Sequence, residues 1–67
     1  MMQITLNDQI VEIKAGETIF SIIEKFSFSE EKIAIELDGE IIPKSEFSVT
    51  KLKSGSVVEV VEFVGGG

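Results

Sequence analysis

The chain contains no cysteine, histidine, arginine, tryptophan or tyrosine among its 67 residues. Without cysteine and histidine it cannot form disulfides, zinc sites, haem ligation, thiolate nucleophiles or Ser-His and Cys-His catalytic pairs. No segment has the spacing of a carboxylate-rich EF-hand calcium loop. An enzyme of this size with neither residue would be unusual. The composition therefore favours a binding module or a protein substrate.

The sequence also has no long hydrophobic run. None approaches the roughly 20 apolar residues of a membrane helix, and Met1–Thr5 lacks the basic and apolar regions of a signal peptide. We therefore expect a cytoplasmic protein. Twelve acidic and six basic residues give a net charge of −6, which argues against nucleic-acid binding and favours docking on basic partner surfaces.

Alternation of apolar and polar residues predicts a β-hairpin at the start of the chain. Residues 2–6 and 10–13 carry the alternation, and Asn7-Asp8 between them is a turn signal.

An amphipathic helix is predicted next, with Thr18 as its N-cap. Its apolar stripe falls at i, i+3, i+4 and i+7 and consists of Ile19, Ile22, Ile23 and Phe26. Ser21 stands where a capping box has Glu or Gln, so we expect an imperfect cap. Phe20 lies off the stripe, either tucked under a loop or exposed as a contact for a partner.

A second hairpin is predicted in the middle of the chain. Residues 33–37 and 40–42 are its strands, and Asp38-Gly39 is the dipeptide that favours a two-residue turn. Pro43 ends the second strand and indicates an edge position, since proline cannot donate a hydrogen bond to a neighbouring strand.

The last predicted strand, residues 57–63, is apolar on both sides over part of its length, which indicates an interior strand. Phe47 is predicted to fill the core. The order β-β-α-β-β-β, connected without crossing loops, predicts a β-grasp (ubiquitin-like) α+β fold: a small mixed sheet with one main helix on one face. The first and last strands would be parallel at its centre. We assign residues 1–64 to this domain and residues 65–67 to a flexible tail.

Folding does not explain the glycines of the tail, because glycine loses entropy when ordered and buries no side chain. A frayed end is one interpretation. The other is chemical: a terminal carboxylate is ionised at neutral pH and can attack the α-phosphate of ATP. Residues without Cβ can also thread a narrow channel into another enzyme's active site.

The segment DGEIIPKSEF at residues 38–47, followed by Leu52, Gly55, residues 57–61 and a terminal Gly-Gly, resembles the ThiS family. The resemblance spans the whole chain. The family segment usually reads N/D-G-E-I-V-P-R-S-E-W. Lys44 and Phe47 therefore replace an arginine and a tryptophan, and Ser56 stands where an aspartate often follows the glycine.

The resemblance implies a sulfur carrier for thiazole formation in thiamine biosynthesis. A ThiF-like adenylyltransferase would adenylate the Gly67 carboxylate with MgATP. A persulfide sulfur, such as that of a cysteine desulfurase, would displace AMP, and thiazole synthase (ThiG-like) would take sulfur from the resulting thiocarboxylate. Gly66, Gly65 and Val64 would thread the partners' active sites. The chain would be a protein co-substrate and not an enzyme, with no permanent cofactor, no metal, and no nucleic-acid or membrane partner.

Exposed residues of the open sheet face, Val57, Val61 or Phe63, are candidates for a docking patch, and core or sheet packing is the alternative for each. Three other functions stay open. The chain could be a MoaD-like small subunit of molybdopterin synthase, a ubiquitin-like modifier that Gly67 joins to target lysines, or a plain β-grasp interaction module with an irrelevant tail.

Overall fold

The computed structural model describes residues 1–63. Its regular elements are five strands and one α-helix: β1 (Met2–Leu6), β2 (Gln9–Ile13), α1 (Ile19–Lys25), β3 (Ile33–Leu37), β4 (Glu40–Ile42) and β5 (Val57–Glu62). Single 3₁₀ turns at Glu30–Lys32 and Lys44–Glu46 complete the order. The predicted boundary at residue 64 lies outside the described residues and stays a prediction.

The five strands form one sheet in the order β2-β1-β5-β3-β4. β1 pairs with β5 in parallel, whereas the pairs β1·β2, β3·β4 and β3·β5 are antiparallel. The predicted parallel pair at the centre and the edge position of β4 are both confirmed. With α1 packed on one face, the architecture is the β-grasp, ubiquitin-like fold.

The core lies between α1 and one face of the sheet. It contains apolar side chains from every strand except β4, together with Phe47 and Leu52 from the connection between β4 and β5. Its buried members are Ile4, Leu6, Ile13, Ile19, Ile22, Ile23, Ile33, Ile35, Phe47, Leu52, Val58 and Val60. Phe47 is only 1% exposed, which confirms its predicted place in the core.

Both hairpins turn through two residues in the left-handed region. Asn7 and Asp8 have φ of 48° and 69°, and Asp38 and Gly39 have φ of 51° and 89°. Positive φ at both central residues is the signature of a type I′ turn, whose twist matches that of the flanking strands. The two turn signals in the sequence therefore gave the correct connections.

The N-terminus of α1 is better capped than the sequence predicts. The Ser21 amide donates to Thr18 Oγ1 at 3.2 Å, and the Thr18 amide donates back to Ser21 Oγ at 2.9 Å. The expectation of an imperfect cap is therefore wrong, because the shorter serine closes the capping box without a Glu or Gln side chain.

The C-terminus of α1 explains a second difference. Phe26 is the C-cap residue and is 39% exposed, so its predicted place in the buried stripe is wrong. Ser27 has φ of 61°, its amide donates to the Glu24 carbonyl, and the Phe28 amide donates to the Ile23 carbonyl. These two bonds form a Schellman motif with serine in the place that glycine usually takes. The chain turns away there, and Phe28 packs against the core instead.

The connection from β4 to β5 is tied to α1 by backbone hydrogen bonds. The amides of Ile19 and Phe20 donate to the carbonyls of Thr50 and Phe47, each at 3.0 Å. The Leu52 amide donates to the Glu17 carbonyl at 2.9 Å. Phe20 itself is half-buried against the core, as in the first of its two interpretations.

Candidate functional site

Strand β5 leads directly toward the predicted reactive tail, and it is fixed at both ends. At its start, the Val57 amide donates to Asp38 Oδ1 and the Asp38 amide donates to the Val57 carbonyl, each at 2.8 Å. Beyond its end, the Phe63 amide donates to the Lys32 carbonyl at 2.8 Å. The last described residue before the tail is therefore still bonded to the chain at the start of β3.

The middle of β5 is held by a side chain that sequence reasoning treated only as a turn signal. Asn7 Oδ1 accepts from the Val60 amide at 2.7 Å, and Asn7 Nδ2 donates to the Val60 carbonyl at 3.2 Å. The Asn7 amide also donates to the Val58 carbonyl at 3.0 Å. The side-chain amide thus continues the short parallel β1·β5 pairing after β1 has ended. No local pattern in the sequence predicts a contact between positions this far apart.

We call the sheet face opposite α1 the open face. It carries exposed apolar side chains on and just after β5, the strand that precedes the predicted tail. Because side chains alternate along a strand, the burial of Val58 and Val60 places Val57 and Val61 on the open face. They are 43% and 55% exposed, and Phe63, which follows the same alternation just after β5, is 60% exposed. The three predicted docking residues therefore lie in β5 and immediately after it, and all three are accessible instead of packed in the core.

Two apolar residues of the open face were not singled out from the sequence. Ile41 on β4 is 71% exposed and Ile10 on β2 is 72% exposed. The signal for Ile41 was the pair Ile41-Ile42, since consecutive residues of a strand point to opposite faces and only Ile42 pairs with the buried Ile35. Ile41 lies opposite Glu36 in the adjacent strand β3.

Two carboxylates lie side by side in the centre of the same face. Glu36 of β3 and Glu59 of β5 are register partners, and both are exposed. Their neighbours in the register are Ile41 on one side and the pair Ala34 and Val61 further along the strands. Like charges directly opposite in an antiparallel pair are unfavourable, so the pair does not contribute to folding.

The residues that depart from the usual family segment have defined structural roles. Phe47 fills the core, and Lys44 Nζ donates to the Glu31 carbonyl at 3.2 Å. Ser56 is buried, and its Oγ accepts from the Lys53 amide at 3.0 Å. These positions therefore serve packing and loop geometry.

The ion pair between Glu17 and Lys25 is on the opposite layer of the molecule, beside α1. Glu17 Oε2 accepts from the Lys14 amide at 2.8 Å and contacts Lys25 Nζ at 2.9 Å. The Lys14 hydrogen bond, followed by the bond and charge of Lys25, lowers the pKa of Glu17 from its ordinary value of 4.5. Ser21 Oγ donates to the other carboxylate oxygen at 3.2 Å. This cluster fixes the entry to α1.

The predicted reacting residues Val64, Gly65, Gly66 and Gly67 lie outside the described residues. Within residues 1–63, no group of three or more acidic side chains is arranged to hold a metal ion. No helix of that part of the chain is long and apolar enough to cross a membrane.

The sequence and the fold are both similar to known proteins. The ThiS family model matches residues 3–67. The sulfur carrier protein ThiS of Escherichia coli is 24% identical over 66 residues, which cover 98% of this chain and 100% of that protein. Thiazole synthases of Paramagnetospirillum magneticum and Magnetococcus marinus are 29% and 30% identical, also over 66 residues. The chain spans only 20% of the length of these two synthases.

Two solved structures of thiamine biosynthesis proteins have a fold similar to that of this chain. A crystal structure of the thiamine biosynthesis protein ThiS from Geobacter metallireducens has a TM-score of 0.84 and 26% identity, covering 98% of this chain and 100% of that one. A solution structure of a thiamine biosynthesis protein from the same organism has a TM-score of 0.80 and 28% identity, covering 98% of this chain and 88% of that one. With a family model that matches residues 3–67 and a fold shared at this level, the chain belongs to the ThiS family.

Proposed function

We propose that the protein carries sulfur to thiazole formation as a thiocarboxylate on Gly67. It acts as a co-substrate whose catalytic groups belong to its partners. The single observation that carries this proposal is the family match that extends through Gly67, on a chain whose composition offers neither histidine nor cysteine for catalysis of its own.

The proposed chemistry begins with the terminal carboxylate. An oxygen of Gly67 attacks the α-phosphate of ATP in a ThiF-like adenylyltransferase, with pyrophosphate as the leaving group. The acyl adenylate is then attacked at its carbonyl carbon by the terminal sulfur of a protein persulfide, and AMP leaves. A thiol cleaves the resulting acyl disulfide and is itself oxidised to a disulfide, so that Gly67 is released as a thiocarboxylate.

The body of the protein supports this cycle by geometry. β5 is bonded at Val57, Val60 and Phe63, so the residues that follow begin from a fixed point. Gly65, Gly66 and Gly67 carry no Cβ, which suits passage through a narrow channel. The exposed Val57, Val61 and Phe63 provide the docking patch beside that channel.

The receiving partner in this proposal is thiazole synthase. Two relatives that bear that name contain a region similar to nearly the whole of this chain. Joining a carrier to its acceptor in one polypeptide raises their effective concentration without any new contact. The similarity of this chain to part of those synthases supports a thiazole synthase as its sulfur acceptor.

Adenylation tests the proposal directly. The purified ThiF-like adenylyltransferase of the same organism is incubated with the carrier, ATP and labelled pyrophosphate. We expect the natural chain to support ATP–pyrophosphate exchange. Removal of Gly67, or addition of one residue after it, should abolish exchange, since the reacting carboxylate is then displaced. Urea unfolding of each variant shows whether the body remains folded. Exchange that survives the extension contradicts the proposal.

A further inference from the structure

The open face holds more exposed apolar surface than the folding of this domain requires. Ile41, Val57, Val61 and Phe63 are between 43% and 71% exposed, and they surround the register partners Glu36 and Glu59. A cluster of exposed apolar side chains marks a surface that contacts another protein.

The charges of this face have one sign. Alternation places ten strand residues on it: Gln3, Thr5, Ile10, Glu12, Ala34, Glu36, Ile41, Val57, Glu59 and Val61. Three of them are glutamates and none is a lysine. Within the part of the chain that the structure describes, the single ion pair joins Glu17 and Lys25, so Glu36 and Glu59 face each other without a cation from their own chain.

We propose that the open face docks the adenylating enzyme, and that a lysine or arginine side chain of that enzyme is held between the carboxylates of Glu36 and Glu59. This inference rests on the sulfur-carrier function proposed above. Apolar side chains of the enzyme then cover Ile41, Val57 and Val61. A cation between the two carboxylates offsets their mutual repulsion and can donate a charge-assisted hydrogen bond to each of them.

A second copy of the chain does not fit this face. A twofold contact between two open faces is self-complementary, so each patch meets an identical patch. Neither patch offers a lysine among its ten strand residues, so the acidic pair would be brought toward a second acidic surface with no cation to offset it. The acidic pair thus favours a basic partner over self-association.

The position of the face favours the enzyme that acts on the tail. The four residues after Phe63 span at most about 14 Å when fully extended. A partner that reaches the Gly67 carboxylate therefore lies close to Phe63 and to the face that β5 crosses. An adenylating enzyme must also hold the phosphates of ATP with cationic groups, and its positive field attracts an acidic surface.

The test uses single charge reversals of equal size. Glu59→Lys and Glu36→Lys each change the net charge by +2, as does the control Glu24→Lys, whose side chain is exposed on α1 in the opposite layer. ATP–pyrophosphate exchange is measured with the ThiF-like adenylyltransferase of the same organism. We expect KM for Glu59→Lys and Glu36→Lys to rise by about tenfold with kcat nearly unchanged. The control should change KM by less than about twofold.

Folding is separated from docking by the same variants. Lysine at either position lies opposite the remaining glutamate, and opposite charges in register are favourable. Thermal unfolding of Glu59→Lys and Glu36→Lys should therefore occur at a temperature equal to or above that of the natural chain. A raised KM with undiminished thermal stability supports the docking surface.

Three results decide against the inference. If KM rises equally in Glu59→Lys, Glu36→Lys and the control, the effect comes from net charge and not from the open face. If KM of Glu59→Lys and Glu36→Lys equals that of the natural chain, the enzyme docks on another surface. Concentration-dependent dimerisation of the natural chain by sedimentation, lost when Val61→Asp is introduced, assigns the open face to a second copy. If the natural chain supports no exchange at all, the proposed function itself fails, which is a different outcome.

Discussion

Asn7 and Val60 are joined by two hydrogen bonds through one side-chain amide, which accepts from the Val60 amide at 2.7 Å and donates to its carbonyl at 3.2 Å. The contact lets a turn residue of the first hairpin serve as an extra residue of the central β1·β5 pairing. It secures β5, which precedes the predicted reacting residues.

We predict that Asn7→Gly destabilises the fold by about 1–2 kcal/mol, because both backbone groups of Val60 lose their partner while glycine still accepts the positive φ. Urea unfolding measures this change. The control is Asp8→Gly, at the neighbouring position with φ of 69°, whose side chain makes no hydrogen bond within residues 1–63. That variant should be neutral or slightly stabilising. Equal effects of the two substitutions would mean that the hydrogen bonds of the Asn7 side-chain amide contribute nothing to the free energy of unfolding.

Ser27 offers a stabilising substitution. It holds φ of 61° at the end of α1, a conformation that costs a non-glycine residue about 1–2 kcal/mol. Ser27→Gly removes that strain, but glycine also raises the conformational entropy of the unfolded chain, which opposes folding. We expect a net gain of about 0.5 kcal/mol in the free energy of unfolding. Ser27→Ala keeps the strain and serves as the control. A gain from alanine as large as that from glycine would locate the effect in the hydroxyl group.

Glu17 should make stability depend on acid pH. Its folded-state pKa is lowered by the Lys14 amide hydrogen bond and by Lys25, relative to an ordinary value of 4.5. A group with a depressed folded pKa contributes stability that is fully present above its unfolded pKa and is lost as the pH falls through the folded pKa. The difference in unfolding free energy between the natural chain and Glu17→Gln should therefore be largest above pH 4.5 and shrink on acidification.

The control for this pH effect is Glu24→Gln, at an exposed residue of α1. Its difference from the natural chain should vary less with pH. If the difference in unfolding free energy between the natural chain and Glu17→Gln grows as the pH falls, the hydrogen bonds to the Glu17 carboxylate do not stabilise the fold in the way described here.

Docking of the acidic carrier should depend on salt. Ions screen the attraction between exposed charges over about 10 Å at 0.1 M salt and less at higher concentration. We expect kcat/KM for adenylation to fall by at least about fivefold between about 0.05 and 0.5 M salt. The double variant Glu36→Gln with Glu59→Gln should show a weaker dependence. A rate that is flat with salt for the natural chain opposes charge-steered docking.

Most of the fold could be predicted because its signals are local. Asn7-Asp8 and Asp38-Gly39 indicated the two hairpin turns, and period-two alternation identified the strands on either side of each turn. Residues 57–63, which are apolar on both sides over part of their length, indicated an interior strand, and β5 lies between β1 and β3. These patterns involve neighbours in the sequence, where steric and burial preferences act directly.

The differences arose at the two ends of α1 and in contacts between distant segments. Phe26 fits a helical stripe, but the chain leaves the helix at Ser27 and Phe28 takes the place against the core. Ser21 closes the capping box through a short hydroxyl bond that residue preferences alone do not favour. The contact of Asn7 with Val60 and the register of Glu36 with Glu59 depend on strand order, which no single segment contains.

The candidate site was predicted in part. Val57, Val61 and Phe63 are exposed as a docking patch requires, whereas Ile41 and the two glutamates emerged only when β3, β4 and β5 were placed side by side. The role of Gly67 and its preceding residues stays a prediction from the family resemblance.

The most direct test of sulfur carriage is the intact mass of the protein isolated from its own cells grown without thiamine. We expect a form in which one oxygen is replaced by sulfur, with fragmentation placing the exchange on Gly67. Detection of the carboxylate form alone under those conditions, or of a sulfur located on any other residue, would contradict it.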